Sequence, residues 1–288
     1  MSFKRALAFI FISVFMVSGT AVGVFWYLQE IQNKKEHNPQ FTIVALAQST
    51  QSGEPLKSAY LAELLGLSTD QPQNLYQFNS REAMQRLLES ALIKTGSITK
   101  IKPGTLLIEY EGRQPVAFSG DFTNTAIDKD GFLIPFKPFF TPKKLPNLIL
   151  GEQEEEQGKW GKPMQSSKAK LALDAFRTLQ NAIIGEPLQL IQLDVSRAHS
   201  LSFGQREIIV LMEEKKEDEK KLSVTPIYLR MSPHNYRQEF ANFLAMRSQL
   251  VRESEGEKVE EIKGRVQNKP LLIELRVPQL AFVTSLTK

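Results

Sequence analysis

The sequence predicts an α+β protein: a single membrane-spanning helix, then a domain of order strand-helix-helix-strand-strand, then a larger mixed α/β domain. Three observations predict this class. A long uncharged apolar run lies near the N-terminus, and apolar residues recur at helical spacing in several later segments. Between those segments lie alternating or β-branched runs that are bounded by Pro-Gly and Asp-Gly pairs.

Residues 6–28 form the apolar run and contain no charged side chain. At ~1.5 Å per residue a helix of this length covers roughly 34 Å, which is enough to cross a hydrocarbon core of ~30 Å. Lys4 and Arg5 precede the run and Trp26-Tyr27 lie at its end, which predicts a cytoplasmic tail at residues 1–5 and an exported remainder. The alternative is a cleaved signal peptide, but its apolar core is usually only about 7–15 residues long.

Gly19 and Gly23 form a G-x-x-x-G pattern inside this run. Small residues four positions apart let two helices approach closely in lipid, so the pair is a candidate packing face in the membrane. The alternative is that small residues are simply common in such helices.

Composition limits the function classes. The chain has 36 Lys and Arg and 32 Asp and Glu, and without Lys4 and Arg5 the remaining net charge is only +2. The sequence pI near 9.1 therefore does not indicate a nucleic-acid-binding surface. Because the chain has no Cys, disulfides, thiolate metal sites and a cysteine nucleophile are excluded. About 260 exported residues can form two domains with separate cores.

The predicted first globular domain follows a polar spacer. Pro103-Gly104 lies between two β-branched runs and predicts a tight turn, because Pro presets φ and Gly accepts a positive φ. In chain order we predict the spacer at residues 29–40, a strand at 41–47, a helix at 56–67, a helix capped by Ser80 and reaching Ala91, and strands at 97–101 and 105–110.

The predicted second domain begins with a hairpin. Asp130-Gly131 lies between apolar runs, a strong short-range signal for a hairpin turn. A loop rich in Glu, Gln and Gly is predicted at 151–167, and the charged segment 213–221 is predicted to be a solvated hairpin loop. The other predicted elements are helices at 168–184 and 236–250 and strands at 188–196, 206–213, 222–230, 271–277 and 279–285.

Two segments resemble the FtsQ/DivIB family of bacterial cell-division proteins. That family carries a P-x-T-L-x-I-x-V-x-E-R-x-P-V-A stretch and a D-x-x-G hairpin where its POTRA domain meets its β domain. The matching residues here are Pro103, Thr105, Leu106, Ile108, Glu111, Arg113, Pro115, Val116, Ala117, Asp128 and Gly131. Residues 273–276 (Ile-Glu-Leu-Arg) resemble the family's I-D-L-R, and Gly112 departs from an acidic residue that is common in relatives.

The resemblance implies a POTRA domain at residues 41–112 and a β domain with a curved, mainly antiparallel sheet at residues 113–288. It implies a scaffold of the divisome in the inner membrane, with the N-terminus cytoplasmic, the bulk periplasmic and enrichment at the septum. The implied partners are FtsB/FtsL-like coiled-coil division proteins, and the implied role links septum assembly to septal peptidoglycan synthesis. No catalytic residue, cofactor, metal or nucleic acid is implied.

The last predicted strand is the candidate partner-binding element. Leu280, Ala281, Phe282 and Val283 lie in it, and at a sheet edge their backbone could accept an extended partner segment by β-augmentation. We expect Leu280 and Phe282 to face one side and the other two residues the opposite side. The alternative is a strand that merely closes its own sheet.

Arg230 and Arg276 are the candidate charged contacts, because Arg pairs bidentately with carboxylates. Arg276 ends the I-x-L-R element, and Arg230 ends a strand in a position that resembles the family's L-G-R. The alternative for each is a salt bridge within the domain.

Enzymatic and metal-binding readings remain as alternatives. The first alternative is a membrane-anchored envelope hydrolase that uses Asp194 or Glu207, or a triad of Asp194, Ser196 and His199. The second is a metal site: a calcium loop at Asp128-Lys129-Asp130-Gly131, or a site among His37, His199 and His234 or at Glu154-Glu155-Glu156. The third is a POTRA-type periplasmic chaperone arm. The residues of the triad lie within six positions, whereas such triads are usually assembled from separate segments. The calcium loop lacks the bidentate Glu that follows the Gly.

Overall fold

The structure, a computed structural model, describes residues 3–51, 53–151, 160–218, 221–254, 258–262 and 265–285. The chain divides into two compact units, Met1–Gly112 and Arg113–Lys288. The division falls after Gly112, the residue at which the sequence analysis ends the first globular domain. Both units are α+β, and their sheets combine parallel and antiparallel pairs.

The first helix, α1, corrects the prediction for the N-terminus. It runs over Phe3–Glu36 and so includes most of the predicted spacer. Among the residues that the structure describes, no helix is long and apolar enough to cross a membrane. The predicted transmembrane helix at residues 6–28 is therefore wrong.

The first unit has the predicted order strand-helix-helix-strand-strand. The central strand β3 pairs in parallel with β1 and antiparallel with β2, which gives the sheet order β1-β3-β2. The element bounds are β1 Ala45–Thr50, α2 Ser58–Leu64, α3 Ser80–Glu89, β2 Ile93–Ile101 and β3 Thr105–Gly112.

The core of the first unit comes from alternation in β3 and from one side of each helix. Leu106 and Ile108 are fully buried, as are Leu61 of α2 and Leu87 of α3. The helix cap of α3 corrects a detail of the sequence analysis. The cap is Asn79 rather than Ser80, because the Asn79 side-chain oxygen accepts the first free backbone N–H groups of the helix.

The second unit is built on a sheet with the strand order β11-β12-β10-β9-β8-β7-β4-β5-β6, and β13 and β14 extend it from β10. The element bounds are β4 Pro115–Ser119, β5 Thr125–Asp128, β6 Leu133–Pro135, β7 Asn147–Ile149, α4 Ser167–Ala182, β8 Leu188–Asp194, β9 Ile208–Asp218, β10 Lys221–Met231, α5 Tyr236–Ser254, β11 Lys258–Ile262, β12 Arg265–Asn268, β13 Leu271–Glu274 and β14 Phe282–Ser285.

The charged segment 213–221 is not a hairpin loop as predicted. β9 continues to Asp218 and stays in register with β10, which begins at Lys221. Cross-strand pairing extends the ladder through charged residues, because their long side chains can lie on the sheet surface while the backbone hydrogen bonds are satisfied. The charge pattern predicted solvent exposure but not the length of the strands.

The predicted Asp130-Gly131 hairpin is confirmed between β5 and β6. Asp128 organises its turn, because its Oδ1 accepts the backbone N–H groups of Asp130 at 2.9 Å and Phe132 at 2.8 Å. Its Oδ2 forms a salt bridge of 2.7 Å with Arg113 Nη1, and both side chains are largely buried. Two residues of the family-like motif therefore stabilise the same hairpin.

Helices α4 and α5 contribute to the core of the second unit. α4 buries an alanine-rich side with Phe176 and Leu179, and α5 buries Phe240 and Phe243. At the surface, Arg237 Nη2 of α5 lies 2.7 Å from a carboxylate oxygen of Asp174 in α4. The hydrogen bonds from Tyr236 and Arg237 outweigh burial and lower the pKa of Asp174.

Gly104 joins β1 to the β2-β3 turn, and this contact generates a prediction. A Cβ atom at Gly104 would lie 2.1 Å from the backbone oxygen of Thr42. We expect Gly104→Ala to lower the free energy of unfolding of the first unit by about 1–3 kcal/mol, because backbone atoms must move. Urea denaturation tests this. Gly19→Ala is the control, since nothing lies within 4 Å of its Cβ position; equal midpoints for the two variants would contradict the prediction.

Candidate partner-binding edge

Strand β14 lies at an edge of the second unit's sheet. Among the described strands it pairs only with β13, in an antiparallel register that sets Ile273 opposite Val283. β13 itself pairs in parallel with β10. One neighbouring strand therefore connects β14 to the rest of the sheet.

The hydrogen-bond pattern shows which groups of β14 face outward. The N–H of Leu275 donates to the C=O of Arg230 in β10 at 2.9 Å. Backbone direction alternates along β13, and through the register the outward groups of β14 are those of Val283 and Ser285. This short edge thus offers two N–H donors and two C=O acceptors to an added strand.

The four predicted residues of the last strand differ in their surroundings. Leu280 is 56% exposed, Phe282 53% and Val283 39%, whereas Ala281 is partly buried against the core. The expectation that one whole pair packs inside is wrong, because Val283 remains 39% exposed while Ala281 is partly buried. The result is an edge with apolar side chains exposed on both faces.

The strand is also shorter than predicted. Gln279 has a φ of 62°, and the N–H of Leu280 donates to the C=O of Val277 at 3.2 Å. These contacts form a turn after Pro278, so the extended strand begins at Phe282 rather than at Gln279. The turn leaves Leu280 before the strand, and the predicted pairing of its side chain with Phe282 on one face does not form.

Two grooves lie beside this C-terminal segment. The first, about 540 Å³, runs between α5 and residues 275–281 and is lined by the amides of Gln238 and Asn242 and by apolar residues. The second, about 440 Å³, lies between Phe203 and Phe282. A partner strand on β14 would therefore have space for side chains next to the edge.

A cluster of charged side chains lies at the end of the sheet where β14 begins. The side chain of Glu207, only 3% exposed, forms a salt bridge with Arg230 and accepts a hydrogen bond from Arg230 Nε at 2.7 Å. Arg276 Nη1 lies 3.6 Å from the same carboxylate. The structure thus brings both predicted arginines to one buried acid.

Glu274 is the second acid of this cluster. Arg276 donates to both Glu274 carboxylate oxygens at 2.7 Å, and its Nη1 donates to the C=O of Gly204 at 3.0 Å. Both arginines therefore form the intradomain salt bridges that were the alternative to partner contact. Sequence reasoning considered Glu207 only as a catalytic candidate, and its position directly before an apolar strand was the signal in the sequence for a structural acid.

The pKa values of two neighbouring carboxyls, Glu239 and Glu274, are shifted in opposite directions. Burial raises the pKa of Glu239, although the N–H of Ser232 donates to it at 2.7 Å. Burial also acts on Glu274, but the hydrogen bonds from Arg276 outweigh it and lower the pKa of Glu274. The first groove is therefore lined by a carboxyl with a raised pKa, and a carboxyl with a lowered pKa lies near it.

The candidate hydrolytic residues make structural contacts. Asp194 Oδ1 accepts the backbone N–H of Ser196 at 2.8 Å, which closes a turn after β8. The carboxylate of Glu207 forms ion pairs with Arg230 and Arg276, as described above. The candidate calcium loop that begins at Asp128 forms a hairpin turn, in which Asp128 Oδ1 accepts the backbone N–H groups of Asp130 and Phe132.

The metal-binding candidates are not brought together. In the part of the chain that the structure describes, no three His, Cys, Asp or Glu side chains form a group that could hold a metal ion. His37 Nδ1 lies 2.9 Å from the backbone oxygen of Asn33 in α1. The acidic cluster at 154–156 lies outside the described residues.

Gly19 and Gly23 lie on α1, and a Cβ atom at either would have no neighbour within 4 Å. Their predicted role in membrane packing depended on the transmembrane helix and is withdrawn with it.

No protein-family model matches the chain, and no curated protein matches it significantly in sequence.

The buried acid of the cluster generates a stability prediction. We expect Glu207→Gln to lower the free energy of unfolding of the second unit by about 1–3 kcal/mol, because it removes the buried carboxylate that pairs with Arg230 and leaves Glu274 as the one acid beside Arg230 and Arg276. Chemical denaturation measures this loss. The control is Glu82→Gln, which removes an exposed helical pair with Arg86 and should cost no more than about 0.5 kcal/mol. A loss for Glu207→Gln as small as the control's would contradict the assignment.

The raised pKa of Glu239 generates a pH prediction. A carboxyl whose pKa is higher in the folded state contributes stability at low pH, and this is lost as pH rises through the folded pKa. Glu239→Gln should therefore be more stable than the parent at pH 7, with the difference disappearing below pH 4.5, the ordinary pKa. Glu274→Gln should show the opposite sign, because its carboxyl has a lowered pKa. Thermal unfolding across pH 3–8 tests both signs, and the same sign for both variants would refute the assignment.

Proposed function

We propose that this protein is a non-catalytic scaffold that binds an extended segment of a partner protein along β14. The observation that carries the proposal is the outer side of β14, with which no other described strand pairs, where Val283 and Ser285 turn their backbone groups outward and Phe282 is exposed. A sheet edge of this kind accepts another strand through main-chain hydrogen bonds.

Magnitudes indicate that side chains must contribute to this binding. Four backbone hydrogen bonds at about 0.5–1.5 kcal/mol each supply roughly 2–6 kcal/mol before ordering costs. Micromolar binding needs about 8 kcal/mol. The difference must come from apolar contacts, and the two grooves beside β14 offer the space for them.

The partner class that we propose is an FtsB/FtsL-like coiled-coil division protein. The support is the resemblance to FtsQ/DivIB at residues 103–131 and 273–276, together with the contacts that those residues make here. Arg113 and Asp128 of the motif form a buried salt bridge, and Arg276 of the I-x-L-R element lies directly before the C-terminal turn. On this proposal the protein acts on the periplasmic side at the division septum and links septum assembly to peptidoglycan synthesis.

A hydrolase is the less supported alternative. Asp194 accepts the N–H of Ser196 and Glu207 is paired with Arg230, and these structural contacts favour the scaffold over the hydrolase. The scaffold proposal requires only the edge, the grooves and a rigid sheet beneath them.

The decisive test removes one outward donor. Val283→Pro deletes an N–H that faces away from β13, so the sheet keeps its own hydrogen bonds. We expect it to weaken binding of the FtsB-like partner on the order of tenfold or more, because one hydrogen bond is lost and the ring obstructs the added strand. Titration calorimetry measures the affinity, and circular dichroism and thermal melting verify the fold.

Two matched variants separate binding from folding. Val283→Thr keeps the N–H and a β-branched side chain, and its affinity should stay within about threefold of the parent. Thr284→Pro removes a donor directed at β13 and should destabilise the edge itself. If a folded Val283→Pro protein binds as tightly as the parent, the edge-strand proposal fails.

A further inference from the structure

The loop between β8 and β9, residues 195–206, exposes two large apolar side chains. Leu201 is 98% exposed and Phe203 80%, whereas Ala198 in the same loop is buried. Exposed apolar residues that occur singly are common, but neighbouring ones form a patch that marks contact with a membrane or another protein. We call this segment the β8-β9 loop.

Every ionisable side chain of the β8-β9 loop is basic. Arg197, His199 and Arg206 lie in the loop, which contains no Asp or Glu. The side chain of Arg197 is 67% exposed. Glu207, the acid that follows the loop, is buried and forms its ion pairs with arginines. The two exposed apolar side chains therefore lie among positive charges.

Side-chain contacts hold the β8-β9 loop in this conformation. Arg206 Nε donates to the C=O of Ser200 at 2.7 Å, and the guanidinium carbon of Arg206 lies 4.0 Å from the centre of the Phe203 ring. Arg276 Nη1 donates to the C=O of Gly204 at 3.0 Å, which joins the loop to the cluster of charged side chains at the sheet end. The exposure of the apolar side chains thus belongs to an ordered loop.

We propose that the β8-β9 loop is a peripheral membrane-contact site that inserts Leu201 and Phe203 into the surface of an anionic bilayer. Apolar side chains enter the boundary between headgroups and acyl chains, while nearby arginines pair with lipid phosphates. A bilayer accepts an apolar side chain as exposed as Leu201 without a shaped hollow, whereas a protein partner needs one. This contact is separate from strand addition at β14, so either proposal can fail without the other.

A second copy of this chain fits the β8-β9 loop less well. A two-fold contact of loop with loop would bring the arginines of both copies together, and like charges in contact are unfavourable. A head-to-tail contact would need an apolar hollow with accessible negative charge. The groove beside α5 has one acid, Glu239, which is buried, and the groove beside β1 and α2 has none. The groove over β3 has Glu109 and Glu111, but no aliphatic residue lines it.

A fluorescent label at position 201 of the full chain tests the proposal. Because the sequence has no Cys, Leu201→Cys can be labelled at that position alone with the polarity-sensitive dye nitrobenzoxadiazole. The control label is at Ile184→Cys, an apolar position that is 77% exposed and has Glu186 as its nearest charged residue in sequence. A local label is needed because α1 also exposes apolar side chains, so vesicle sedimentation would not isolate the loop.

The expected response depends on the lipid charge. Vesicles of equimolar phosphatidylcholine and phosphatidylglycerol should raise the emission of the label at position 201 at least about threefold, because the dye leaves water. Vesicles of phosphatidylcholine alone should raise it less than about 1.3-fold, because the arginines then have no anionic lipid to attract. The label at position 184 should change less than about 1.3-fold with either kind of vesicle.

Matched variants separate the apolar and the charged contributions. In the protein labelled at position 201, Phe203→Ser should reduce the emission increase at least about twofold, whereas Ile184→Ser should leave it within about 1.2-fold. Arg197→Gln should raise the phosphatidylglycerol fraction that gives half of the increase at least about 1.5-fold. Lys129→Gln removes the same charge from an exposed position beside β5, three strands from β8 in the sheet, and should leave that fraction unchanged.

Several outcomes would overturn the proposal. They are no increase at position 201, an equal increase at position 184, equal responses to the two kinds of vesicle, and equal effects of the matched variants. An increase that appears without vesicles as protein concentration rises would assign the loop to a second copy. An increase that requires an added FtsB-like partner rather than lipid would assign it to a protein, and either of these results would also overturn the membrane contact.

Discussion

The buried carboxylate of Glu207 holds together the end of the sheet on which the candidate site is built. Glu207 lies directly before β9, Arg230 lies near the end of β10, and Arg276 follows β13. Their charges meet at one point, so the ends of three strands have a shared counter-ion inside the unit. A buried acid is costly unless it is paired. The position of the segment that leads into β14 therefore depends on this cluster remaining complete.

Side chains distinguish the β14 edge from a bare sheet edge. β14 displays large apolar side chains beside two grooves, and arginine side chains lie near its start. The backbone hydrogen bonds that a sheet edge offers are common to any added strand, so selectivity at such an edge follows from side chains.

Several failures of sequence reasoning have a common physical cause. The apolar run at residues 6–28 satisfied the length rule for a span, whereas no helix among the described residues is long and apolar enough to cross a membrane. The charged segment 213–221 was assigned to a loop because charge reports exposure, whereas strand pairing decided its conformation. Arg230 and Arg276 suggested partner contacts because a sequence does not show which carboxylates lie within reach.

The sequence by itself determined the local elements whose signals are short-range. The Asp130-Gly131 hairpin and the aromatic side of α5 follow from turn chemistry and helical periodicity, which act over a few residues. The Pro103-Gly104 turn also forms, but Gly104 is not among the glycines with a positive φ, and the close approach of the Thr42 backbone oxygen is what excludes a Cβ there. Only the tertiary structure decided which strands are edges, that Glu207 is buried between two arginines, and that β14 begins at Phe282. These features depend on contacts between residues far apart in the chain, and such contacts leave no periodic pattern in any single segment.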